Sequence, residues 1–213
     1  MGIRNITASL LGIAAFGLAQ PAAAAGYGYV EVSAGISFFD DIDGNVTVPG
    51  FAGSIPVSVS VNDGANVGFE FGAGNILGTG LRAGAAFTWI DFEIESATAL
   101  GFTIPASAIG GGSSGTVEVV EGRLYYDIPL QGIVTPYVGV GLGAVNYTEE
   151  GQFLWSLIGG AQVDLTENMY LGARYTYSNT DIDDGPNVTI DPINIHSISG
   201  QIGFRIGNTG DTP

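Results

Sequence analysis

At 213 residues the chain is long enough for one domain of moderate size, and its 5 basic against 21 acidic side chains give a formal charge of −16. Cysteine and lysine are both absent. These facts exclude a disulfide-stapled scaffold, and they exclude recognition of nucleic acid or an anionic surface through a basic patch.

The first predicted element is a secretory signal peptide over 1–25. Met1 to Arg4 form a short positive region, ITASLLGIAAFGLA an apolar stretch too short to span a membrane, and Pro21 followed by AAAAG a cleavage site after Ala24 or Ala25. A retained N-terminal anchor is the alternative. Without Arg4 the mature chain, starting near Gly26, carries −17. No heptad, tandem repeat or apolar run of membrane-helix length follows.

Beyond Gly26 eight strands are predicted, at 27–39, 65–74, 80–94, 117–127, 136–147, 153–164, 169–179 and 193–206. Most reach the about 9 to 11 residues with which a tilted strand crosses a bilayer. The connections after the second, fourth and sixth strands are short: NILGT, IPLQGIVT and LTEN. Those over 40–64, 95–116 and 180–192 are long and rich in Gly, Asp, Ser and Pro, and the fifth, TEEGQ, is short and acidic. Short turns at one end, longer loops at the other and an even strand number describe an all-β fold, an eight-stranded antiparallel up-and-down transmembrane barrel with periplasmic termini. It takes in 26–206, leaving 207–213 as a short tail.

The fifth strand, PYVGVGLGAVNY, shows the alternation most clearly. Val138, Val140, Leu142 and Ala144 share one side; Tyr137, Gly139, Gly141, Gly143, Val145 and Tyr147 share the other. The glycines recur at every second position and no helix pattern follows, so this is no dinucleotide loop. MYLGARYTY and the last strand repeat the division into an apolar face and a face of glycine, small polar residues and a few charges. A soluble sandwich would need a better-charged second face. The aliphatic side is therefore expected to meet lipid and the glycine side a cramped lumen. Tyr27, Tyr29, Phe38, Trp89, Tyr147, Phe153 and Trp155, near strand ends, fit interfacial girdles.

All four mature arginines fall on the lumen side: Arg82, Arg123, Arg174 and Arg205. Glu31, Glu70 and Glu121 share it. Strand order pairs Glu31 with Arg205 and Glu70 with Arg82, with Glu121 and Arg123 in the same network. An eight-stranded barrel is about filled by its own side chains, which favours an ionic plug over a selective constriction.

Two loops carry related phrases, DIDGNVTV from Asp41 and DIDDGPNVTI from Asp181, and barrel closure is expected to bring them together. Asp41, Asp43, Asn45, Asp181, Asp183 and Asp184 are hard oxygen donors of the kind calcium takes, yet neither the glycine spacing nor a terminal glutamate matches a calcium loop. Solvated acidic turns are the expectation. The tip SAIGGGSSG reads as flexible, whereas the apolar stretches VPGFAGSIPVSVSV and ATALGFTIPASAI either extend strands beyond the membrane or form a patch for a partner. His196, the single histidine, neighbours Ser197, but adjacent strand residues point to opposite faces and cannot act as base and nucleophile.

GYGYVEVSAGISF, TPYVGVGLGAVNY, GAQVDLTENMYLGARYTYS and the closing HSISGQIGFRI together resemble the OmpA/OmpX-like outer-membrane barrels, in particular the small opacity-type and surface-antigen barrels of Gram-negative bacteria. The resemblance spans the mature chain. It implies exposed surface loops and insertion by the barrel-assembly machinery through a C-terminal strand that usually ends in an aromatic residue. Here Phe204 and Ile206 supply the apolar positions, but GNTGDTP follows them. The expected protein sits in outer-membrane lipid, uses no cofactor, is no enzyme and serves a structural, adhesive or surface-interaction role, with a host or cell-surface ligand for its loops. A narrow channel for small solutes is the alternative, and a lipid-modifying enzyme a remote one.

Overall fold

The computed structural model describes residues 26–48, 50, 53–109, 114–146, 151–181 and 187–207. The predicted signal peptide, Tyr147, Asp183, Asp184 and nearly all of the predicted tail lie outside the described residues. In chain order the elements are β1 (Tyr27–Phe39), β2 (Ile42–Thr47), β3 (Ser54–Asn62), β4 (Gly64–Ile76), β5 (Leu81–Ala99), β6 (Phe102–Pro105), the single helical turn α1 (Ala106–Ile109), β7 (Ser114–Asp127), β8 (Val134–Asn146), β9 (Gln152–Thr166), β10 (Met169–Thr180), β11 (Val188–Ile190) and β12 (Ile193–Ile206).

Eight of these strands close on themselves in the order β1, β4, β5, β7, β8, β9, β10, β12, every contact antiparallel, with β12 returning to β1. They are the eight strands read from the sequence, each with bounds moved by a few residues or fewer, apart from the longer β5. Closure removes every free edge of the wall. The wall separates two environments as alternation requires: Val138 (53% exposed), Val140 (48%) and Leu142 (60%) face outward, while Tyr137 and Val145 on the opposite parity are each 1% exposed. The aliphatic face of β8 is thus the outer one, and its glycine face lines the interior.

The glycines make room for tyrosines. Tyr27 stands opposite Gly74, Tyr125 opposite Gly139, Tyr137 opposite Gly160 and Tyr170 opposite Gly203 on adjacent strands. A β-carbon added at any of these glycines would run into that tyrosine ring. Each lumenal ring thus lies over a position without a side chain, which lets a narrow barrel pack large groups.

Two expectations change here. Tyr27 and Tyr29, read as interfacial aromatics, are buried in the lumen. They share the parity of Glu31, and the side a residue faces outranks its nearness to a strand end. Phe38, Trp89 and Phe153 do face outward and exposed; Trp155 is half-buried and donates its indole N–H to Asn179 at 3.0 Å.

The second change concerns 40–64 and 95–116, expected as loops and now largely strand, so that their apolar stretches take the first of the two readings given for them, strand extension. β3 runs into β4 with only Asp63 between them, and β5 continues past the barrel to pair with β3 on one side and β6 on the other. Nineteen residues of β5 span roughly 60 Å at about 3.3 Å each, against an apolar band about 25 Å tall. The β5–β6 hairpin turns through Leu100 and Gly101, both at positive φ (52° and 79°), the pair of left-handed residues that a two-residue turn of type I′ requires. β11 completes the extension by pairing with β2, setting Val188 against Val46, Thr189 against Asn45 and Ile190 against Gly44. The two related phrases therefore meet, as expected, and they do so through a strand pair between 44–46 and 188–190, with Asp43 in β2 and not in a turn.

Candidate functional site

The lumen is layered, and each layer follows from which inward positions fall at one height. At the end with the short turns, Tyr27, Asp127, Gln162, Asp164 and Arg205 surround a polar cavity of about 310 Å³. Arg205 donates to Asp164 at 2.8 Å and lies over the rings of Tyr170 and Tyr27, 5.1 and 5.3 Å from their centroids. One layer further in, Arg82 is 1% exposed, sandwiched 4.8 Å from the centroids of both Tyr125 and Tyr137, with Nε donating to Asp127 at 2.9 Å.

The central layer holds five charges. Glu31 and Glu70 face each other directly across β1 and β4. Two like charges so placed repel, and two arginines from across the lumen relieve them. Arg174 of β10 reaches Glu31, and its other terminal nitrogen lies 3.3 Å from Glu70. Arg123 of β7 contacts Glu70 at 3.1 Å and Glu121 at 2.6 Å. Hydroxyls complete the carboxylate shells: Tyr29 and Tyr125 each donate to Glu70 at 2.7 Å, Tyr170 to Glu31 at 2.9 Å and Ser156 to Glu121 at 2.6 Å.

The structure therefore places all seven predicted charges inside the barrel but re-pairs most of them. Glu31 meets Arg174 in place of Arg205, because register sets Arg205 opposite Tyr29, one inward position nearer the short turns. Glu70 meets Arg123 and Arg174 in place of Arg82, because Glu70 is opposite Ala86 and Arg82 lies two inward positions lower on β5. Glu121 and Arg123 do pair. Missing from the sequence reading were Asp127, Asp164 and the tyrosines Tyr29, Tyr125, Tyr137 and Tyr170. The tyrosines' shared parity with glycines and charges was the available signal.

Above the charges comes a belt of small polar groups. Ser37 and Ser197 are 2.7 Å apart, Asn66 donates to Ser37 at 2.9 Å, and Ser199 donates to Asn66 at 3.1 Å. A space of about 30 Å³ remains among them, room for about one water. The next layer is apolar: Ile90, Val117, Val119, Val145, Leu154 and Ile195 pack into one buried cluster.

His196 faces outward, with Nδ1 2.7 Å from the Tyr175 hydroxyl, while Ser197 faces inward against Ser37. Among the described residues no three acidic or histidine side chains form a metal-binding group. Asp43 and Asn45 lie on the exposed face of β2.

This geometry has counterparts. The sequence matches the family model for the outer membrane protein beta-barrel domain over residues 8–205. The chain belongs to that family. Its fold is shared with Neisserial surface protein A, at 16% identity, covering 83% of this chain and 96% of that one with a TM-score of 0.52. Two further similar structures are the outer membrane protein OprG from Pseudomonas aeruginosa (10% identity, 84% and 96% covered, TM-score 0.48) and the outer membrane protease OmpT from Escherichia coli (8%, 84% and 96%, 0.42). No curated protein sequence matches. The barrel's outward aliphatic face accordingly meets outer-membrane lipid, and the extended strands lie at the end opposite the short turns.

Proposed function

We propose that this outer-membrane barrel does not conduct, and that its work is done by the sheet it raises above the membrane, in envelope integrity, adhesion or contact with another cell. One observation supports the reading: two different layers lie in series along the lumen, the buried network of Glu31, Glu70, Glu121, Arg123 and Arg174 and, above it, the apolar cluster around Leu154. An ion must displace paired charges and then pass a layer that offers it no hydrogen bond. The barrel serves as the mount and needs no catalytic group. The signal peptide delivers the chain for export, and β12, with outward Phe204 and Ile206, is the strand that the assembly machinery reads.

Single-channel recording of the refolded mature protein in a planar bilayer tests this reading. Silence from protein with a heat-modifiable folded band is the expected result. Regular openings altered by replacement of Arg82 or Glu70 would instead establish the narrow channel. That second reading is favoured by one detail: Arg82 Nη2, Arg174 Nε, Arg205 Nε and Gln162 Oε1 are buried without a hydrogen-bond partner in the protein, as groups along a water path would be.

A further inference from the structure

Directly above the apolar layer the lumen opens into a cavity of about 250 Å³. Phe39, Ile42, Phe92, Val145, Ile193 and Ile195 are among its walls. The single hydroxyl there, Thr180, is already donated to the Phe153 carbonyl at 2.8 Å, so nothing in the lining asks for water. Enclosed cavities with such a lining stay dry or take up hydrocarbon, and about 150 Å³ suffices for benzene; this one is as apolar but open on one side, so a ligand can enter it. The cavity also has a continuation. Ile42 begins the apolar face of the raised sheet, where register sets Ile42 opposite Val59, Val57 opposite Gly44, and Val46 between Ile55 and Val188. These side chains are half-buried, whereas the alternate positions Asp43, Asn45, Ser54 and Thr189 are exposed.

We infer that the extracellular mouth is a binding site for a slender, uncharged aliphatic molecule, seated in this cavity with its length along the apolar face of the raised sheet. The charge pattern selects the neutral form. Among the residues flanking the cavity walls in sequence are the exposed carboxylates Asp40, Asp41, Asp91, Glu93 and Asp181, and the basic neighbour, His196, lies 3.9 Å from Asp40. All four described arginines are buried in the lumen below. A fatty-acid anion approaching the mouth meets a negative field in which the carboxylates outnumber the single histidine and no arginine takes part, whereas an alcohol or alkane of the same length does not. The site lies above both barriers, so occupancy does not depend on whether the lumen conducts.

The test is methyl NMR of the barrel in nanodiscs with labelled isoleucines, titrated with 1-decanol and with decanoate. Saturable shifts are expected at Ile42, Ile94, Ile193 and Ile195, with only proportional, non-saturating drift at the lipid-facing Ile36, Ile198 and Ile202. Decanoate should bind severalfold more weakly at low ionic strength, with the gap narrowing as salt screens the carboxylates. Val145→Phe, which fills the cavity, and Ile42→Trp, at its half-exposed edge where the barrel wall is undisturbed, should each abolish saturation at Ile193 and Ile195. Non-saturating drift at both sets of methyls would overturn the site. Equal binding of decanoate and decanol at low salt would overturn the selectivity. Wild-type binding by folded Ile42→Trp would remove the cavity from the account.

Discussion

Among the lumenal residues, Arg174 has the most to lose. It is 5% exposed and shared between Glu31 and Glu70, the two carboxylates that oppose each other across one strand pair. Arg174→Met should lower stability by about 3–5 kcal/mol, because it leaves a buried acid uncompensated, and should show as an earlier midpoint in urea unfolding of the folded band. Adding Glu31→Gln should recover much of that loss, since the surplus charge goes with it. Gly203→Ala tests the ring-over-glycine packing. The added methyl lands on the Tyr170 ring, which must swing away and release Glu31, for a cost of about 1–3 kcal/mol by the same measurement. The inward parity of these residues was legible in the sequence, but the partners were not. Neighbouring strands in the order do not say at which height two residues meet, and a slip of one inward position re-pairs Arg205 from Glu31 to Asp164.

At the level of elements, the wall and its extension answer to different tests. Leu142, mid-strand in β8 and 60% exposed, faces lipid, so Leu142→Arg should cost on the order of 2–4 kcal/mol, again in urea. Removal of 42–62 should leave the barrel intact. β1 and β4 pair up to Ser37 and Gly64, and the shortened connection through Asp40, Asp41 and Asp63 still closes a hairpin. The expected outcome is an unchanged heat-modifiable band together with lost attachment in any assay of surface contact. The eight wall strands could be read because each carries its own alternation over a dozen residues. β2 and β11 could not. They have six and three residues amid Gly, Asp and Asn, and each becomes a strand only through a partner elsewhere in the chain.

For the molecule as a whole, the proposal of two barriers in series makes a specific forecast for conductance. Neutralising part of the ionic layer with Glu121→Gln and Arg123→Gln should leave the protein silent, because on that proposal the buried cluster of Ile90, Val119 and Leu154 is a second barrier. Adding Val119→Ser and Leu154→Ser should permit openings. Planar-bilayer recording of the two variants separates them, and conduction by the first alone would show that the apolar layer is no barrier.

Sequence alone determined the barrel wall: the number of strands, their inward and outward faces, and the confinement of the four described arginines to the interior. Those are properties of a period of two, which any dozen residues express locally. The tertiary structure decided which acid meets which arginine, that the acidic phrases pair as strands, and that the lumen changes from ionic to apolar along its length. Each of these depends on the register between strands distant in sequence, and register is settled only when the barrel closes.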